Sequence, residues 1–320
     1  MAVIGVDLGG TKAAAAVMDK EGQILHRETG LLEHRQGSEV GRLIIDQVEK
    51  LLTAVEAEQA NIEAVGVSVP GIYYAQTGHV WAPNIPGWEE YPLQTELEDF
   101  LKPQGIQAAI DSDRACYILG ETWLGSAKGC KDAIFLAVGT GIGAGIMVDG
   151  NILRGYQDIA GAIGWLALER PFEQEYVGCG CFEYHASGEG IAKVARSLMD
   201  SPAYASSNLR SLRPEELTAQ HVFEAYKADD PLAVHVLDEC VELWGMAAAN
   251  LVSLFNPEKI IFGGGVFGPA IQFLDRIVEE AHRWAQPISI QQVTIEASTL
   301  GGDAGLLGAG SLALRYIRNK

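Results

Sequence analysis

Val3-Ile4-Gly5-Val6-Asp7-Leu8-Gly9-Gly10-Thr11-Lys12, running into Ala13 to Met18, is an apolar strand, a Gly/Thr turn and a second apolar strand. The same phrase returns as Ile134-Phe135-Leu136-Ala137-Val138-Gly139-Thr140-Gly141-Ile142-Gly143, running into Ala144 to Val148. Each copy predicts a β-hairpin with a glycine tip. Glycine lets the backbone take positive φ and come close to a ligand, so successive amides can converge on one anion while Thr adds a hydroxyl donor. Two such turns facing one another predict a clamp on a polyphosphate. A plain hairpin tip needs one or two glycines, not a run that carries Thr.

The rest of the chain bounds what such a clamp can belong to. With 320 residues, 48% of them hydrophobic and 20% charged, the composition is that of a well-buried globular protein, long enough for two domains. A formal charge of −19, spread through the chain, argues against nucleic acid and anionic membranes as partners. A nucleotide remains compatible, because local amide nests and Mg²⁺ offset a negative global field. The chain enters a strand within three residues, leaving no room for a signal peptide, and no apolar run reaches the roughly 18 residues of a membrane span. The five cysteines (Cys116, Cys130, Cys179, Cys181, Cys240) form an odd set without framework spacing, as for thiols kept reduced. The expectation is a cytoplasmic protein.

The first half reads as three strands, a helix over about Glu39 to Gln59, a strand at Ala64 to Ser68 broken by Pro70-Gly71, and a long loop around Pro83, Pro86, Gly87 and Trp88. A helix at Leu93 to Leu101 and a strand at Gln107 to Asp111 complete a βββαβαβ unit. A helix from Asp113 to Leu124 opens the second half, which repeats the order with larger insertions. These hold helices around Gly188 to Met199, Ala219 to Tyr226 and Pro231 to Phe255. The strand Lys259 to Phe262 then leads through Gly263-Gly264-Gly265 into a helix reaching about Gln286, and Leu306 to Ile317 is helical. The repeat predicts an α/β protein with the duplicated, two-domain actin-like ATPase (ribonuclease H-like) fold, a nucleotide cleft lying between the halves. The expected domains are 1–112, small, and 113–304, larger, with the C-terminal helix (about 305–320) packing back on the first domain at the junction.

Taken in order, Asp7-Leu8-Gly9-Gly10-Thr11-Lys12, Val69-Pro70-Gly71, Pro83-Asn84-Ile85-Pro86-Gly87-Trp88, Gly139-Thr140-Gly141-Ile142-Gly143, Cys181-Phe182-Glu183-Tyr184, Gly263-Gly264-Gly265 and Asp303-Ala304-Gly305 resemble the ROK family of bacterial repressors, open reading frames and sugar kinases, nearly end to end. The family's repressors carry an N-terminal helix-turn-helix. This chain starts directly at the first strand, which together with its charge disfavours DNA binding. The resemblance implies an ATP-dependent kinase with Mg²⁺ for a hexose, amino sugar, glycoside or cyclitol, and a homodimer or homotetramer. A non-catalytic ligand-binding or regulatory member is the alternative reading, and ATP hydrolysis coupled to a partner protein is a third.

Phosphoryl transfer needs the phosphates held, a cation bridging them and a base at the attacking hydroxyl. Asp7, at a strand end, is suited to hold Mg²⁺ through water or to cap the turn. Lys12 either reaches a phosphate or is solvated. The resemblance implies that Asp113 is the catalytic base, at the junction Asp111-Ser112-Asp113 that leads into Gly120-Glu121. A simple N-cap aspartate is the alternative there, and Asp111 takes the role if the register slips by two. Gly263, Gly264 and Gly265 would pass close to the nucleoside, or serve only close packing.

The acceptor side departs from the family. Its kinases carry Asn before the catalytic Asp and a Glu-x-Gly-His segment on the sugar; here the equivalents are Ser112 and Ala162-Ile163-Gly164-Trp165. Glu183 keeps its carboxylate, and Asn84 and Gly71 are further expected walls. Trp165 offers either a flat face for stacking on a ring or simply core. The family's structural zinc uses that His and three Cys. With Trp165 and Tyr176 at two of those positions and only Cys179-Gly180-Cys181 remaining, no structural zinc is expected. His185, close by, reads as packing.

Overall fold

Along the first strand, β1 (Ala2–Leu8), successive side chains serve two different layers. This computed structural model describes residues 2–56 and 61–318. Ile4, Val6 and Leu8 join one apolar cluster and Val3 joins another, so the strand is buried on both faces and reads as an unbroken apolar run. β1 pairs antiparallel with β2 (Lys12–Asp19), and β2 pairs antiparallel with β3 (Ile24–Leu31). Helix α1 (Ser38–Glu56) then crosses over to β4 (Ile62–Val69), parallel to β1. The expected helix ran on to Gln59, and its last residues lie outside the described ones.

The stretch read as a long loop contains a small antiparallel pair, β5 (Ile72–Tyr74) and β6 (His79–Trp81). Trp88, expected only as an aromatic among turn-formers, is fully buried, stacked on Tyr91 at 4.4 Å, and donates its indole N–H to the Gly37 carbonyl. Helix α2 (Leu93–Leu101) leads to β7 (Gln107–Ser112), parallel to β4, and α3 (Asp113–Trp123) follows without a loop. The sheet order is β3-β2-β1-β4-β7.

The second sheet repeats this order as β10-β9-β8-β11-β12. The hairpin β8 (Ala133–Val138) and β9 (Ile142–Val148) is followed by a two-residue β10 (Asn151–Ile152). Helices α4 (Cys181–Ala186), α5 (Gly188–Leu198), α6 (Ala219–Tyr226) and α7 (Pro231–Phe255) form the insertion. The long α7 starts where Asp230 accepts from the Leu232 and Ala233 amides ahead of Pro231, and stops at Asn256 in the left-handed region. β11 (Lys259–Gly263) runs parallel to β8, and β12 (Thr294–Ala297) runs parallel to β11. The glycines after β11 do not open a long helix as expected. Two short 3₁₀ turns intervene before α8 (Leu274–Trp284), the second started by Pro269.

The last helix, α9 (Ala304–Arg318), packs on β1, β4 and α3. It lies at backbone distance: a Cβ on Gly66 would fall 2.0 Å from the Ala309 carbonyl oxygen, and one on Gly308 would fall 1.8 Å from that of Cys116.

The chain divides into two compact units, one made of residues up to 129, 152–160 and from 299 onward, the other of 130–151 and 161–298. The boundary expected at 112/113 is therefore corrected. α3 belongs to unit 1 because α9 clamps it there, and a short stretch from the middle of the chain joins that unit too. Among the described residues no helix is long and apolar enough to cross a membrane.

Candidate active site

In unit 1 the carboxyl ends of three adjacent parallel strands collect polar groups: Asp7 on β1 lies opposite Ser68 on β4, and Ser68 opposite Asp111 on β7. The carboxyl edge of an open α/β sheet is where ligands bind. Asp7 is partly buried, and burial raises its pKa against the opposing pull of the Ser68 hydroxyl and of Lys12. Gly305 makes room for it, since a Cβ there would fall 2.5 Å from its Oδ1. Asp7, Asp111 and Asp113 all bear on the buried Cys116, whose thiol burial pushes far up.

Asp111 and Asp113 have different surroundings. Asp111 is 3% exposed and accepts two hydrogen bonds from Arg154, at 3.0 Å and 2.6 Å. Asp113 is the first residue of α3, and its Oδ1 accepts from the Arg114 amide at 2.7 Å. The cap of that helix is Ser112, whose Oγ accepts from the Ala115 amide, so the N-cap reading of Asp113 is corrected. Burial pushes the Asp113 carboxyl up to about 6, with Arg114 opposing and Asp7 adding to the rise.

The two turns do not use glycine as expected: none of Gly9, Gly10, Gly139 and Gly141 has positive φ. Their service is space. A Cβ on Gly10 or Gly139 would meet nothing within 4 Å, while Thr11, Lys12 and Thr140 are exposed. The second tip is braced from below, where the first amides of α5 donate to it, Gly188 to the Gly139 carbonyl and Glu189 to that of Thr140.

Gly139 and Thr140 open into a cleft of about 960 Å³ in unit 2, lined also by Gly188, Ala192 and Arg196 of α5, Phe223 and Lys227, and Gly265, Val266 and Pro269. That volume suits a small-molecule ligand. Of the triple glycine, only Gly265 lines the cleft. The Cβ site of Gly263 is filled by the Phe135 ring, and Gly264 (φ 93°) lets its strand end pass the Val138 carbonyl, so both glycines have a packing reason of their own.

On the acceptor side, Glu183 does not stand free. Its Oε2 accepts from the Ile142 amide at 2.6 Å and lies against Gly141 and Gly164, while burial raises its pKa. Glu183 thus joins the second turn to the segment Ala162–Trp165. Trp165 is 56% exposed, which overturns the core reading. Asn84 is exposed, and Gly71 (φ 140°) lets the backbone pass the Trp81 carbonyl.

Trp165 and Tyr176 stand at two of the positions where the resemblance implies zinc ligands. The Tyr176 hydroxyl hydrogen-bonds His185 Nε2 at 2.9 Å, and both rings pack edge-on against Tyr184. Among the described residues no group of three or more His, Cys, Asp or Glu is placed to hold a metal ion. Magnesium is different, because it takes hard oxygen ligands and phosphates supply most of them. The single carboxylate of Asp7 suits that need.

The sequence matches the ROK family over residues 3–316. The chain belongs to the ROK family. It is 33% identical to a glucokinase of Halalkalibacterium halodurans over 97% of this chain and 94% of that protein. The structure of a ROK hexokinase from Thermus thermophilus superposes with a TM-score of 0.84, at 28% identity, over 100% of both chains. A ROK family glucokinase from Streptomyces griseus, solved with glucose and AMPPNP, gives 0.74 at 31% identity, over 98% of this chain and 100% of that one. The actin-like ATPase fold is the one this ROK protein shares with them.

Sequence reasoning missed Arg154. A lone arginine beside Gly155 in an acidic chain was its only signal.

Proposed function

We propose that this ROK protein transfers the γ-phosphoryl group of ATP to a hydroxyl of a sugar or sugar-like alcohol. The observation that carries the proposal is the pair of unlike carboxylates at the end of β7: Asp111 is engaged by Arg154, while Asp113, two residues on, is raised to about 6 and starts a helix. A base with that pKa is mostly ionised at pH 7 and still able to hold a proton. The acceptor oxygen bonds to the γ-phosphorus, the bridging bond to the β-phosphate breaks, ADP leaves, and the hydroxyl proton passes to Asp113. The N-terminus of α3 favours the ionised form before the attack.

The unit 2 cleft supports a nucleotide site, with Gly139, Thr140 and Gly265 among the residues that line it. Thr11 and Lys12 on the first turn are exposed donors for phosphate oxygens. Asp7 would hold Mg²⁺ through water, and the ion, when bound, offsets charge on the phosphates. Ala162 offers no carboxylate for vicinal hydroxyls, and Trp165 presents an exposed indole in the same segment. That pairing favours an acceptor with an apolar ring face or substituent over plain glucose.

The test is a panel of hexoses, amino sugars, glycosides and cyclitols incubated with Mg-ATP and read by mass gain of one phosphoryl group. At least one acceptor is expected to gain it. If ATP binds and no acceptor gains phosphate above basal hydrolysis, the kinase reading fails in favour of a non-catalytic binding member.

A further inference from the structure

Arg154 lies on Ile152–Ala160, a stretch that leaves β10 and belongs to unit 1, although the chain on either side of it belongs to unit 2. This excursion has a defined shape. Gly155, Gln157 and Asp158 all have positive φ, at 70°, 59° and 61°, and the Ala160 amide closes back on the Arg154 carbonyl at 3.0 Å. Two successive non-glycine residues in the left-handed region persist only where the surroundings hold them. Asp158 supplies part of that hold, accepting from the Ala75 amide at 3.0 Å.

The contacts then run in series toward the start of α3. Arg154 gives one terminal nitrogen to each oxygen of Asp111, a fork-to-fork pair that fixes the carboxylate plane. Asp111 Oδ1 also accepts the Ser112 amide at 2.9 Å, and Ser112 caps α3, whose first residue is Asp113. We propose that Arg154 is a positioning residue for Asp113, locking the end of β7 so that the carboxylate meets the acceptor hydroxyl in one orientation. This rests on the reading of Asp113 as the base. The excursion ends at Ala160, and Gly161 leads in sequence to Ala162–Trp165.

The test compares wild type with Arg154→Met, Arg154→Lys, Arg154→Met/Asp111→Asn and Asp113→Asn, using the acceptor that the panel returns and measuring kcat, ATP affinity and Tm. Arg154→Met is expected to lower kcat about 100-fold, the scale of a 1 Å misplacement, and to leave ATP affinity within about twofold. Arg154→Lys restores only part, because an ammonium is a point charge. The double variant recovers about tenfold over Arg154→Met, since it also removes the carboxylate left buried without its counter-charge. A kcat within twofold of wild type in Arg154→Met, or a double variant no better than that single one, overturns the proposal. If Arg154→Met shows no cooperative melting, Arg154→Lys carries the test: lowered kcat at wild-type Tm supports the proposal, and wild-type kcat overturns it. Wild-type kcat in Asp113→Asn sinks the base reading instead, and is read independently of the arginine variants.

Discussion

Replacing Asp113 by Asn should move activity and stability in opposite directions. The folded protein pushes this carboxyl up to about 6 from an ordinary 3.8, and burial is the main cause. The folded state therefore binds the proton more tightly than the unfolded chain. The cost of holding the ionised form is fully present above pH 6 and disappears as pH falls toward the unfolded value. At pH 7 a shift of that size corresponds to about 3 kcal/mol, trimmed to about 1–2 kcal/mol by the partial exposure of the side chain. Asn has the same shape and no charge. Asp113→Asn should then melt about 2–8 °C higher at pH 7, with the gain vanishing near pH 4. Its kcat should fall by about 10²–10⁴. Wild-type kcat/KM should drop about tenfold between pH 7 and pH 5, whereas a base titrating near 3.8 would lose almost nothing over that range. Coupled ADP-release kinetics from pH 4.5 to 8, with scanning calorimetry on both proteins, read all three effects. A flat profile from pH 7 to 5, or undiminished kcat in the variant, would refute the assignment.

The glycines separate function from folding. Gly139→Ala puts its methyl into open space, so Tm should stay within about 1 °C while the KM for ATP rises at least tenfold. Gly264→Ala, at φ 93° and 2.4 Å from the Val138 carbonyl oxygen, should instead lower Tm by several degrees; an equal effect of both on Tm would contradict the division. Tyr176→Phe removes the bond to His185 and should cost about 1 kcal/mol by chemical denaturation. A zinc chelator should leave Tm unchanged, and a zinc-reversible drop would show that a metal holds this lobe. Chelating magnesium should abolish turnover and restoring it should recover the rate; activity that persists in EDTA would remove the ion from the reading.

The parts of the fold that the sequence made readable are those whose cause is local. The two hairpins and the parallel strands stand out because burial on both faces leaves unbroken apolar runs, and α7 is punctuated by Asp230-Pro231 at one end and Asn256 at the other. β5, β6, β10 and β12 escaped because two to four residues carry no period. The site was half legible. Asp7 and Asp113 could be located from strand ends and resemblance, but glycines that look alike in sequence proved to have unrelated reasons. Gly139 keeps space open, Gly141 makes room for Glu183, and Gly263 accommodates the Phe135 ring. Those reasons lie in partners far along the chain, as does the membership of α3 in unit 1, which depends on Gly308 meeting the Cys116 carbonyl.

The close seat of α9 on β1 and β4 also sets an order of events during synthesis. Gly5 and Gly66 expose bare backbone on one sheet face, and what fills it is a helix translated after the whole of unit 2. While the ribosome is still making the second unit, the first therefore presents an uncovered apolar face, with Val3, Ala16, Met18 and Ala64 still waiting for Leu306, Ala313 and Leu314. The half that emerges first is the half that finishes last, and over that interval its uncovered sheet face is the surface most open to association with neighbours.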